Sequence, residues 1–318
     1  MESTKILITG ANGQLGSALS VALAEHHGEH NILSTDIRER ASGIGHFEIL
    51  NVLDRDRIGQ VVLDHQITEI YHLAAILSAK GEQDPLGTWN INMRGLFNIL
   101  EAARSPQVKK VFFPSSIAVF GKTTPPNPTP QFTAAEPSTI YGISKQAGEN
   151  WCQYYWNRYQ VDIRSVRYPG VIGHNALPGG GTTDYAVDIY HKAVNDKHFS
   201  CFLEANTQLP MIYMDDAIRA TVELMQAPVN KISVRTSYNL SGMSFSPKEV
   251  YESIRKYKPD FTISYEPDYR QAIAASWPNR IDDSKAREDW GWNPKYNLDT
   301  MTYDMLEHLT RKQAHHIK

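Results

Sequence analysis

The chain has 318 residues, 41% hydrophobic and 21% charged, with a formal net charge of −3. That length accommodates one large α/β domain with a smaller second one, and the small net charge gives no electrostatic case for nucleic acid or an anionic membrane. No apolar run approaches membrane-spanning length, and two cysteines, Cys152 and Cys201, are too few for a disulfide framework, so a small-molecule partner and a reducing, cytoplasmic setting are expected. Met1 to Lys5 lead straight into an apolar strand, so no signal or transit peptide is expected.

Ile6-Leu7-Ile8 reads as a buried strand, followed by Thr9-Gly10-Ala11-Asn12-Gly13-Gln14-Leu15-Gly16 and a helix to about Glu25. Glycines at this spacing also occur in unrelated turns. Between a strand and a helix they permit a tight turn and let backbone approach a pyrophosphate, whose charge then rests on the helix amides. Asn31 to Thr35 reads as a second strand ending in Asp36, twenty residues beyond Gly16, where a dinucleotide fold places the acid that meets the adenosine ribose. A carboxylate there repels a 2′-phosphate and favours NAD over NADP. Ile37 and Arg38 flank it, and the arginine is a cation that softens the preference.

Phe47 to Leu50 reads as a third strand that brings Asn51 and Val52 toward the adenine. Glu69 to His72 is a fourth, running into Leu73-Ala74-Ala75, where small residues permit close approach to a cofactor. Pro85 to Arg104 reads as one helix with proline in its first turn, and its internal Asn92 either has work for its amide or is exposed. Val111 to Phe113 is a fifth strand with Ser115 and Ser116 at its carboxyl end, the edge where open α/β sheets bind ligands.

After a proline-rich loop, a helix from Ser138 to about Tyr159 carries Tyr141 and Lys145 four residues apart, hence on one face. A neighbouring ammonium favours the phenolate and moves the tyrosine toward use as a proton acceptor. Asp162 to Tyr168 reads as a sixth strand, and Pro169-Gly170 as a change to irregular structure and a domain boundary. Residues 178–184 form a glycine-rich loop suited to a lid, then a helix to about Lys192. Further expectations are a helix from Met214 to Met225, a seventh strand over Ser237 to Leu240, a helix started by Ser246-Pro247-Lys248-Glu249, a strand over Phe261 to Tyr265, and a helical tail over Tyr303 to Leu309. Twelve scattered histidines show no zinc spacing, so no metal is expected.

Gly10, Gly13, Gly16, Asp36, Ser116 and the Tyr141/Lys145 pair together resemble the extended short-chain dehydrogenase/reductase family. Ile76 to Gly81, Arg167 to Gly170, Gly180 to Val187 and Ser276-Trp277-Pro278 look like its short-chain L-threonine 3-dehydrogenase branch. The resemblance implies an α/β Rossmann fold, a doubly wound parallel seven-stranded sheet with a smaller C-terminal α/β substrate domain. NAD would be held by residues 1–170 with 213–240 returning to them, and substrate by 171–212 and 241–318. It implies Ser116, Tyr141 and Lys145 as catalytic groups. NAD contacts would come from Gly10, Asn12, Gly13, Gln14, Leu15, Gly16, Asp36, Ile37, Arg38, Asn51, Val52, Leu73, Ala74, Ala75, Asn92, Ser115 and Tyr168, besides Tyr141 and Lys145. L-threonine would meet Leu77, Ser78, Gly181, Thr183 and Trp277, besides Ser116 and Tyr141, and two chains would pair as a homodimer through the helices of 85–104 and 138–159. Nucleotide-sugar epimerases and dehydratases share the cofactor residues and remain the alternative. A non-enzymatic dinucleotide-sensing regulator would have no use for the serine, tyrosine and lysine.

Overall fold

In the computed structural model, residues 4–40, 43–175, 177 and 181–316 are described. The chain opens with β1 (Ile6–Thr9), α1 (Gln14–His27), β2 (Ile32–Asp36), β3 (His46–Ile49), α2 (Arg55–Asp64) and β4 (Glu69–His72). It continues through α3 (Ser78–Gly81), α4 (Pro85–Trp89), α5 (Gly95–Ala102), β5 (Lys110–Ser116), α6 (Ile140–Tyr159) and β6 (Ile163–Tyr168). Strand β10 (Tyr238–Asn239) later returns to complete a seven-stranded sheet of order β10-β6-β5-β4-β1-β2-β3. Every pairing in it is parallel. This is a doubly wound Rossmann sheet.

The sequence explains this sheet directly. Ile6, Leu7 and Ile8 are fully buried because a central parallel strand is covered on both faces. Leu19 and Leu23 of α1 pack on one face, and Ile58, Leu96 and Ile99 cover the other. The Asp54 carboxylate accepts the Arg57 amide at 3.0 Å to start α2, and the Thr139 hydroxyl accepts the Gly142 amide at 3.1 Å to start α6.

Beyond β6 come β7 (Gly170–Ile172), α7 (Tyr185–Asn195), β8 (His198–Cys201), β9 (Leu209–Tyr213) and α8 (Met214–Gln226), the last packed on α1. After β10 follow β11 (Met243–Phe245), α9 (Pro247–Arg255), β12 (Thr262–Tyr265), α10 (Tyr269–Ala274), α11 (Ser284–Trp290) and α12 (Leu298–His316). Strands β11, β9 and β7 make a small sheet, and β12 pairs with β8. Ser246 and Glu249 form the reciprocal cap foreseen for α9.

Three expectations change. The helix of 85–104 is interrupted by a wide π turn over Asn90–Arg94, within which the Asn92 side chain reaches Ile76 and Ser144. Pro169-Gly170 does not introduce irregular chain: only Pro169 separates β6 from β7, and Gly170 lacks the side chain that would collide with Met211 and Thr183. The tail helix is longer than expected, since Met301, Met305, Leu306 and Leu309 supply a buried stripe against α7 and α9. No helix among the described residues is long and apolar enough to cross a membrane.

Candidate active site

The β1–α1 turn is built for close approach. Gly10 has φ +72, and a Cβ there would lie 2.7 Å from the Ala74 nitrogen, so only glycine lets the turn abut the Leu73-Ala74 strand end. A Cβ at Gly16 would lie 2.4 Å from the Gly10 carbonyl oxygen. Gly13 caps α1 with no side-chain bond to the amides of Gln14 and its neighbours, and the first turn holds no acid. The positive end of α1 is therefore left open to an anion.

Asp36 closes the cradle at the end of β2. Its Oδ2 accepts the Asn12 amide at 3.1 Å and its Oδ1 the Arg38 amide at 3.3 Å, while Asn12 Nδ2 donates to the Arg38 carbonyl at 2.9 Å. A carboxylate offers about four acceptor positions, so two remain for ribose hydroxyls. Bare glycines, open helix amides and a half-engaged carboxylate together fit a dinucleotide. Ile37 and Asn51 are exposed beside this carboxylate, and Val52 is buried against Gly95.

Ser116 ends β5, and its hydroxyl accepts the Ala118 amide at 3.2 Å and stands near enough to the phenol of Tyr141 to favour its ionised form. Burial pushes the phenol up to about 12, against the pull of the Ser116 hydroxyl. Lys145 Nζ donates to the Pro114 carbonyl at 2.7 Å and lies 4.6 Å from the centre of the Phe113 ring and 5.5 Å from that of Tyr141. Burial brings this ammonium down to about 8, with Cys152 and Glu149 acting in the opposite direction. In the free protein burial thus outweighs the lowering of the phenol expected from a lysine at this spacing.

Several residues expected to touch a cofactor also make hydrogen bonds within the protein. Asn92 is buried: it accepts the Ile76 amide at 2.8 Å and donates to the Ile76 carbonyl and Ser144 Oγ, both at 3.1 Å. It ties the loop after β4 to α6. Tyr168 turns its phenol to Thr221 of α8, so that its backbone alone remains at the sheet edge. Ser115 donates to Glu149 Oε1 at 2.6 Å.

Glu149 belongs to a buried network that sequence reading missed. Arg167 grips it with two bonds, Nε to Oε1 at 2.9 Å and Nη2 to Oε2 at 2.8 Å, and extends to Asn239 Oδ1 at 3.0 Å. One signal was available, since Tyr141, Lys145 and Glu149 recur every four residues along one face of α6. The arginine partner has no local signature.

Of the residues expected at the substrate, Leu77 is exposed, Ser78 opens α3, and Trp277 is buried in the core cluster against which Tyr141 packs. Thr183 stands against Gly170, and the Gly181 amide donates to Asp184 Oδ2 at 2.7 Å. Residues 178–180 of the expected lid lie outside the described residues.

His72 sits beneath the site with its ring nitrogen 2.9 Å from Thr9 Oγ1. Burial, helped by the Lys145 charge, brings it down to about 3. An unfolded chain takes up this proton below about 6.5 and the folded chain does not, so stability falls as pH drops through that window. Between pH 7.5 and 5 the loss is about 2 kcal/mol. Urea unfolding of wild type and His72→Gln at both pH values checks this; the variant should show the smaller drop.

Fold and site together define a dinucleotide-dependent enzyme of the Rossmann type. The model of the NAD dependent epimerase/dehydratase family matches residues 6–241, and an uncharacterized epimerase/dehydratase of Staphylococcus aureus is 50% identical over 315 residues, 98% of each chain. The chain belongs to this family, the extended short-chain dehydrogenases and reductases. Among solved structures it is similar to a GalE-like L-threonine dehydrogenase from Cupriavidus necator in its holo form, at 56% identity and TM-score 0.94, over 96% of this chain and 99% of that one. A partial consensus L-threonine 3-dehydrogenase is 55% identical with TM-score 0.95 over the same shares.

Proposed function

We propose that the protein oxidises L-threonine at its β-hydroxyl to 2-amino-3-ketobutyrate. The observation that carries this is the meeting of the Ser116 hydroxyl, the Tyr141 phenol and the buried Lys145 at the carboxyl edge of the sheet. The similarity to threonine dehydrogenases along nearly the whole chain supports the choice of substrate.

NAD⁺, when bound, supplies the hydride acceptor. Gly10 to Gly16 would hold its pyrophosphate, Asp36 with Ile37 and Arg38 its adenosine ribose, and Asn51 and Val52 its adenine. Leu73, Ala74, Ala75, Asn92, Ser115 and the Tyr168 backbone would form the wall on the nicotinamide side. Ser116 hydrogen-bonds the substrate oxygen, Tyr141 takes its proton, and Lys145 holds positive charge beside the phenol so that the anion is stabilised as it forms. Leu77, Ser78, Gly181, Thr183 and Trp277 would receive the rest of threonine, with short polar groups suited to a small zwitterion.

Residues 1–170 with 213–240 form the cofactor half of this reading, and 171–212 with 241–318 the substrate half. A homodimer is part of it too. Leu96, Ile99 and Tyr155 are spent in the core of the single chain, but Leu86, Trp89, Ile143, Trp151 and Tyr154 leave exposed apolar surface along α4 and α6.

The test is the appearance of NADH absorbance with threonine and NAD⁺, run beside UDP-galactose. No NADH with threonine, or epimerised sugar instead, overturns the reading. Asp36→Ala should raise KM for NAD more than for NADP, by roughly tenfold for each 1.4 kcal/mol that the carboxylate contributes to holding the ribose. An unchanged ratio removes Asp36 from the cofactor site. Turnover should survive EDTA, because the chemistry assigned to Ser116, Tyr141 and Lys145 uses no metal.

A further inference from the structure

At the free edge of the large sheet, away from the glycine turn, three side chains from a strand and the helix that follows it converge. His46 and Glu48 alternate onto the same face of β3, and His65 is the residue that closes α2. Glu48 Oε1 lies 3.4 Å from His46 Nε2 and 2.7 Å from His65 Nε2. Arg57 holds the other oxygen, Oε2, at 2.7 Å. The side chains of His46, Glu48 and His65 are 62%, 20% and 31% exposed, so the group is open to solvent on one side.

We propose that His46, Glu48 and His65 form a binding site for a divalent transition-metal ion of the zinc type, which fastens β3 to the end of α2. Two imidazoles and one carboxylate are a donor set that zinc takes in tetrahedral sites, with a fourth position left for water. At metal–ligand distances near 2.0–2.1 Å, tetrahedral donor atoms lie about 3.3 Å apart and the two ring centres about 5 Å apart. The three donors already lie within 4.8 Å of one another, and the rings are 5.8 Å apart at an interplanar angle of 36°. A change of at most about 1.5 Å between donors, taken up along partly exposed side chains, therefore completes the geometry. The Arg57 bond fixes the carboxylate so that Oε1 is the oxygen presented.

A second trio, His174, Asp304 and His308, has donors equally close but cannot serve in the same way. Its rings lie face to face, 4.0 Å apart at 14°. Stacked imidazoles direct their in-plane lone pairs along parallel lines, which do not meet at one ion. That contrast makes His308 a control.

The ion would join the first residue of β3 to the residue after α2, stapling the unit whose loop carries Asn51 and Val52. The test is calorimetric titration of ZnCl₂ into untagged full-length protein freed of metal with EDTA. One ion per chain is expected, with a rise in melting temperature on zinc addition. His46→Ala and His65→Ala should each weaken binding by about tenfold or more, since even loss of an outer partner of a metal ligand costs that much. His308→Ala should bind as wild type does. Should His65→Ala prove poorly folded, the exposed His46→Ala and the isosteric Glu48→Gln carry the comparison alone. Absence of zinc binding, or equal affinity in wild type, His46→Ala and Glu48→Gln, would overturn the proposal; neither outcome bears on threonine turnover.

Discussion

Replacing Tyr141 with phenylalanine should lower kcat with threonine by about 10²- to 10⁴-fold, the usual worth of a positioned proton acceptor. The ring stays and the oxygen goes. Since Tyr141 packs by its ring against the core cluster that contains Trp277, the variant should fold as wild type does. In the free protein the phenol stands at about 12, and the reaction needs its proton gone. Turnover by wild type should therefore rise with pH from neutrality upward, with the rise lost in Tyr141→Phe. A positively charged nicotinamide ring bound nearby would move this rise to lower pH, by favouring the phenolate. Measuring kcat against pH for both proteins decides the matter, and near-normal turnover in the variant would remove Tyr141 from its role.

The second large effect concerns Glu149. Its side chain is 4% exposed and that of Arg167 is 9% exposed, so removing the carboxylate leaves a guanidinium buried without its counter-charge. Glu149→Ala should cost about 3–5 kcal/mol of stability, read as a lowered denaturant midpoint. Glu149→Gln separates structure from chemistry. It keeps a polar group for Ser115 and Arg167 but removes the carboxylate that helps hold the Lys145 proton, and Lys145 should then lose that proton at lower pH. Loss of the Lys145 proton should limit turnover at high pH, and in Glu149→Gln this falling limb should move to lower pH, a change that looser packing alone does not produce. Such a shift would mark Glu149 as a positioning residue, acting through Lys145.

The parts of the site that sequence made legible are those whose meaning is local. Gly10 and Gly16 announce a close turn, Asp36 follows at a fixed chain distance, and Tyr141 and Lys145 share a helix face by spacing alone. Ser116 was readable because a strand's carboxyl end is a position that pattern can find. The Glu149–Arg167 pair was not, since its partners come from a helix and a strand that only the fold brings together, and Asn239 joins them from 72 residues beyond Arg167. Asn92 was ambiguous for the same reason: a buried amide and an exposed one look alike until Ile76 and Ser144 are placed beside it. The small sheet escaped notice because β7 and β11 have three residues each, too few to show a period. The trio at the sheet edge was invisible as a motif because its two histidines sit in different elements.

The single residue between β6 and β7 has a practical corollary for anyone building chimeras of these enzymes. Pro169 is the whole of the connection, and at the next crossing Tyr213 of β9 is followed directly by Met214 of α8. Neither junction contains slack in which a splice could be absorbed. Exchanging the segments beyond Pro169 between relatives therefore means cutting inside hydrogen-bonded backbone, and grafts that preserve the strand register on both sides of Pro169 are the ones that should yield soluble protein.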